Sequence, residues 1–258
     1  MKELIKFELR KLVRSKSFYV CLGITIVLLL LNSALSLALD NMLKEAAKEI
    51  GQPYVTSKSA VISMKLAFSS NTATVEAIIV TIIVCEDFVG DVIKNIYSKG
   101  YTRAQVYFSK LISSAIAFFA IMIINMIIAF FFGLIAYKQV GPTGNLFVPA
   151  LLGIFVIALA YFVISFSVAM IFKKIAPSII LAVVGPTAII VIFALLDTLV
   201  IKSDTFSLSE YWLGGLLTNL GGLEVDSKDI IAGVIEAAIF IVTLGSLSFL
   251  LNNKKDAK

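Results

Sequence analysis

Long apolar runs separated by short polar pieces organise the chain, and their lengths give the first reading. Strong runs cover 18–39, 111–137, 148–172, 177–201 and 230–251, each near the roughly 20 residues a helix needs to cross a hydrocarbon core of about 30 Å. A weaker run, 60–85, is interrupted by Lys65, Asn71 and Glu76. The pattern predicts an all-α integral membrane protein with six transmembrane helices in a single transmembrane domain over 1–258. Outside the spans the period changes. In KELIKFELRKLVR, residues 2–14, Ile5, Leu9, Leu12 and Val13 fall at offsets 0, 4, 7 and 8, one stripe of a helix whose remainder is basic. Such a helix lies in the headgroup plane; the plainer reading is a basic leader that helps set topology.

The stretch EDFVGDVIKNIYSKGYTRAQVYFSK, residues 86–110, repeats the device with Val89, Ile93, Ile96 and Tyr97 at the same offsets. Glu86 and Asp87 stand on its N-terminal side, where carboxylates suit the positive end of a helix dipole, and Lys94 and Lys99 stand toward the other end. Gly100 suits the left-handed position at which helices stop. Arg103 and Lys110 then lead into the third span. The apolar stripe fits either a cytoplasmic partner or the membrane surface.

Composition agrees with the bilayer as solvent: 59% of residues are hydrophobic, 15% are charged, and mean hydropathy is +0.99. The first apolar run, 22 residues behind a mixed-charge leader, reads as an uncleaved anchor rather than a signal peptide. With the N-terminus inside, cytoplasmic pieces hold fifteen Lys and Arg against seven outside. Both termini are therefore expected in the cytoplasm, in a multi-pass cell-membrane protein. The net charge of +5 is then topology, spread over four separate pieces, and no nucleic-acid partner is expected. Cys21 and Cys85 lie near inner span ends, where no disulfide is expected.

The chain has no histidine, which removes the commonest general base and metal ligand. No catalytic residue and no metal site is predicted. GPTGN at 141–145 lacks the Lys-Ser/Thr of a phosphate loop and reads as a turn. Carboxylates inside spans remain, because charge at that depth usually faces protein or water. Asp197, close to Lys202, reads as interfacial. Glu76 and Glu236 suit an aqueous path or an inter-helix pair, against a lipid-interface reading. Pro186, beside Gly185 in the fifth span, is expected to bend its helix.

An amphipathic basic N-terminal helix, six spans, and a loop reading E-D-F-x-G-D-x-x-K, then S-x-G-Y-T-R, then a lysine before span three, together resemble the membrane subunit of ABC-2 type ABC transporters. The resemblance makes the N-terminal helix, 1–16, the elbow helix. It makes 86–110 the coupling loop, whose helix docks on a separate cytoplasmic ATPase, with Glu86, Asp87, Gly90, Asp91, Lys94, Tyr97, Gly100 and Arg103 as the coupling residues. Asp91 departs from the threonine frequent there in the family. The external segment, 202–229, resembles a re-entrant hairpin, and spans two and five, with Glu76 and Pro186, would line the path together with Glu236.

The same resemblance implies no cofactor on this chain, with ATP and Mg on the ATPase. It implies a second permease subunit, identical or related, and membrane lipid as further partners. The function implied is a compact export permease for an amphipathic or hydrophobic substrate, in the first place a small antimicrobial peptide, with lipids or hydrophobic drugs as alternatives. A membrane scaffold and an intramembrane enzyme built on Glu76 or Glu236 are the rival classes.

Overall fold

The computed structural model describes residues 1–51, 54, 58–89, 92–141, 145–201, 207–222 and 225–254. Among them the regular elements are helices: α1 (Lys2–Arg14), α2 (Lys16–Glu49), α3 (Ala60–Leu66), α4 (Ser70–Val89), α5 (Val92–Ser98), α6 (Arg103–Tyr137), α7 (Phe147–Phe172), α8 (Ile175–Leu196), a π-helical turn (Asp197–Ile201), α9 (Leu208–Tyr211), α10 (Leu213–Gly221) and α11 (Ser227–Lys254). Five helices among the described residues are long and apolar enough to cross a membrane: Lys16–Glu49, Arg103–Tyr137, Phe147–Phe172, Ile175–Val200 and Ser227–Asn253.

The stretch read as a second span is not one helix. The Thr72 hydroxyl accepts from the Ser69 amide at 2.7 Å and donates to the Ser69 carbonyl at 2.9 Å, a local bonding pattern that competes with the helical ladder. The chain turns there, so α3 and α4 are separate. At the start of α3 the amides of Ala60 and Val61 donate to the carbonyls of Gln139 and Val140, which satisfies donors a helix start leaves open. The remaining piece, α4, has 20 residues, about 30 Å at 1.5 Å per residue. Its three carboxylates, Glu76, Glu86 and Asp87, fall in every 18-residue stretch of it, whereas each of the five apolar helices has an 18-residue stretch with at most two charged residues.

In lipid, helices associate through close packing and polar pairs rather than through the hydrophobic effect, and α7 shows both. It is apolar all round, as a central helix must be, and packs on α11, α4 and α8, with Ala150, Ile154, Ile157, Ala158 and Ala160 fully buried. An aromatic ladder joins three helices: Phe118 to Phe162, Phe162 to Phe166, Phe166 to Tyr107 and Tyr107 to Phe249, with ring centroids 5.6, 5.8, 5.3 and 5.4 Å apart. The Tyr107 hydroxyl shares a 2.6 Å hydrogen bond with Ser248. Against α6, α3 comes so close at Gly133 that a Cβ there would stand 2.8 Å from the Ala60 Cα. Only glycine admits that approach.

Candidate functional site

At one end of the bundle α1, the last turn of α4, α5 and the first turns of α6 converge. Glu86 and Asp87 close α4 rather than open α5. Asp87 is 1% exposed and ion-paired with both Lys11 of α1 and Lys110 of α6. Lys110, 2% exposed, also reaches Glu8 Oε1 at 3.5 Å, while Lys11 lies 3.8 Å from Glu86 Oε2. Five charged groups thus lock three helices. Burial raises the pKa of Glu8, partly offset by Lys110. Burial also pushes the Asp87 carboxyl up, but Lys110 and Lys11 outweigh it and hold that group below its ordinary value. Phe88, next in sequence, lies under two ammonium groups, 5.8 Å from Lys110 and 5.4 Å from Lys173. The Lys173–Lys174 turn thereby joins the same junction.

The apolar stripe of α5 is filled from within the chain. Ile96 packs with Leu4 of α1 and Val106 of α6, flanked by Val92, Tyr97 and Tyr101, and Ile93 is buried too. Val89, counted in the expected stripe, ends α4 and is exposed. Residues Lys94, Asn95, Ser98 and Lys99 form the outward face of α5. Gly100 ends the helix with φ +84° and its amide on the Tyr97 carbonyl at 2.9 Å, as a left-handed stop requires.

Immediately afterwards Thr102 and Gln105 form a capping box that starts α6. The T-x-x-Q spacing carries that signal in the sequence, and it moves the start of the third span's helix back to Arg103. The Arg103 guanidinium donates to the Asn253 carbonyl at 3.5 Å, linking this turn to the end of α11. Gly90 and Asp91 lie outside the described residues.

The residues read as a path have separate local partners. Glu76, 1% exposed, accepts from Asn125 Nδ2 of α6 at 3.4 Å, which makes it an inter-helix pair. The Glu236 carboxylate on α11 lies near the Leu213 amide at the start of α10, close enough to interact with it electrostatically. At the other end of α10, Lys65 Nζ donates to the Gly222 carbonyl at 2.8 Å. An acid at the N-terminus and a base at the C-terminus complement the helix dipole. Asp197 takes the amides of Leu208 and Ser209 at 2.7 and 2.9 Å and the Ser207 hydroxyl at 2.9 Å, tying α8 to α9. Pro186 sits half-buried inside α8, whose helix continues past it to Leu196.

Residues 4–189, which hold this whole junction, match the family model described as ABC-2 family transporter protein. The chain belongs to the ABC-2 transporter family. It is a multi-pass membrane protein and the permease subunit of an ABC transporter. ABC-2 permeases have no ATPase domain of their own and generally work with a cytoplasmic ABC ATPase. The match stops within α8, so the α9–α10 segment and α11 lie beyond it. No curated protein and no solved structure matches the chain.

Proposed function

We propose that this ABC-2 permease is an exporter whose junction of α1, α4, α5 and α6 receives the stroke of a cytoplasmic ATPase. In this reading α1 is the elbow helix, α5 the coupling helix, and α4 a sixth crossing helix. Both termini are cytoplasmic, and α9–α10 is an external re-entrant hairpin. The observation that carries it is the ion-paired Lys110–Asp87–Lys11 set, with Asp87 and Lys110 buried, through which α5's neighbours move as one body. A displacement of α5 is delivered at once to α1, α4 and α6, and a rigid-body shift of this kind changes the opening between two bundles.

The coupling residues divide by role. Glu86 and Lys94 face the ATPase, Asp87 and Tyr97 face inward, Gly100 and Arg103 shape the turn between α5 and α6, and Gly90 and Asp91 belong to the same coupling set. Two permease chains enclose the path, near Glu76, Pro186 and Glu236. The substrate is amphipathic or hydrophobic, with a small antimicrobial peptide as the first candidate.

The test is co-expression with an ABC ATPase, purification through the permease, and reconstitution into vesicles. The ATPase co-purifies, and candidate amphipathic peptides stimulate ATP hydrolysis. A permease that retains no ATPase contradicts the transporter reading. An unchanged complex and unchanged hydrolysis in Glu86→Arg remove that residue from the contact.

A further inference from the structure

We propose that the side of α2 facing α4 and α6 holds one membrane phospholipid with an anionic head. Two cavities lie along it. One of about 240 Å³, where α2, α3 and α6 meet, is lined by Asn32, Ser33, Ser36, Lys58, Ser63 and Tyr137 among others. The other, about 270 Å³ between α2 and α4, is lined by Thr25, Leu28 and Val75, and shares Asn32 and Thr72 with the first. Leu29, Leu66 and Phe132 line the first as well, so the shared pair joins, in a single trough, a mixed end, where the polar groups gather, to an almost wholly apolar one.

Charge and length select the occupant. Lys58, which donates to the Ser36 carbonyl and hydroxyl at 2.9 and 2.8 Å, is the one charged residue on either wall among the described residues, with no carboxylate among them, which suits a phosphate. From Ser36 to Thr25 the helix advances eleven residues, about 16 Å at 1.5 Å per residue. That is half of a hydrocarbon core of about 30 Å, the depth of one leaflet.

Polar groups at the seam supply a further argument. The exposed Asn32 amide and the Ser33 hydroxyl have no hydrogen-bond partner among the described residues, whereas Ser36 accepts from Lys58 at 2.8 Å. Side-chain amides left facing hydrocarbon are costly. The ester carbonyls of a phospholipid lie at the boundary between head and chains, where Asn32 Nδ2 and Ser33 Oγ can donate to them. The phosphate then sits near Lys58 and one acyl chain lies along Thr25, Leu28 and Val75. In the proposed topology this is the outer leaflet; the match of head and tail sites does not depend on that orientation.

The test uses the full chain in detergent, equilibrated with equal amounts of phosphatidylglycerol and phosphatidylcholine of identical acyl chains, with retained lipid counted by native mass spectrometry. Wild type keeps one phosphatidylglycerol in preference by about fivefold, the weight of one lysine beside an anionic head. Lys58→Gln abolishes the preference, and Val75→Trp, which fills the apolar end, releases both lipids. Equal retention of the two lipids by wild type, a measurement that needs no variant to fold, overturns the proposal, as does an unchanged preference in Lys58→Gln. A third arm places Leu28→Cys in a Cys21→Ser, Cys85→Ser background in native membranes. No disulfide-linked dimer is expected; efficient linking would assign the trough to a second copy of the chain and overturn the lipid.

Discussion

At the junction, Asp87 and Lys110 direct their charge at each other and at Lys11 and Glu8. Around the nine-residue α10, Glu236 and Lys65 direct theirs at the backbone ends of one short helix. Both regions bury charge in an apolar chain, with different consequences. A network of side chains from three helices is all-or-none, because removing one member leaves its partners charged and unpaired. A cap is local: losing it frees one amide or carbonyl, and the rest of the packing remains. The first arrangement suits a body that must move as a unit, and the second suits a segment that must stay where it is.

The largest way to break that contrast is Lys110→Met. Thermal or denaturant unfolding in detergent should show a loss of about 3–5 kcal/mol, the cost of stripping one partner from a buried ion pair. Adding Asp87→Asn to it should cost less than the two single losses combined, since the groups are coupled. On the other side of the comparison, Glu236→Ala should cost no more than about 1 kcal/mol, for one carboxylate lost beside the N-terminus of a short helix. It should also make α10 more accessible to hydrogen exchange while leaving α5 unchanged. Equal exchange changes at both ends of the bundle would erase the distinction.

A smaller effect sharpens the picture through pH. Glu8 binds its proton more tightly when folded than when unfolded, so its protonation adds stability as the pH falls from neutral through its raised pKa. Asp87 has the opposite sign: its contribution is complete above the unfolded carboxylate pKa and is lost as the pH falls below that value, through the lowered folded one. The unfolding temperature should therefore rise slightly on mild acidification and then drop. Glu8→Gln should remove the rise and leave the drop.

The five apolar spans were legible because length and uninterrupted hydropathy are enough to place them. The junction was half legible. A reading of α1 by apolar periodicity selects Ile5, Leu9, Leu12 and Val13, whereas the buried face is Leu4, Glu8 and Leu12, and Val13 is 62% exposed. Glu8 breaks the apolar pattern, and its partner Lys110 is 102 positions away, beyond the reach of any local rule. Asp87 was recognisable as an unusual acid, but its pairing with Lys11 and Lys110 is tertiary. The break between α3 and α4 had a signal in the polar run Ser69–Thr72, and the start of α6 had one in T-x-x-Q. Glu236 and Asp197 serve as caps because of how α9 and α10 fold back, a fact that no property of α11 or α8 taken alone contains.

The most direct test of the account concerns the outward face of α5, whose Lys94 and Lys99 point away from the buried network. In Lys94→Glu/Lys99→Glu the fold should be retained, each exposed substitution shifting stability by no more than about 0.5 kcal/mol. Co-purification of the ABC ATPase with this variant is the measurement. The account predicts that the ATPase is lost while the unfolding transition of the permease stays that of wild type. A variant that retains the ATPase at wild-type stoichiometry would contradict the claim that α5 is where the motor docks.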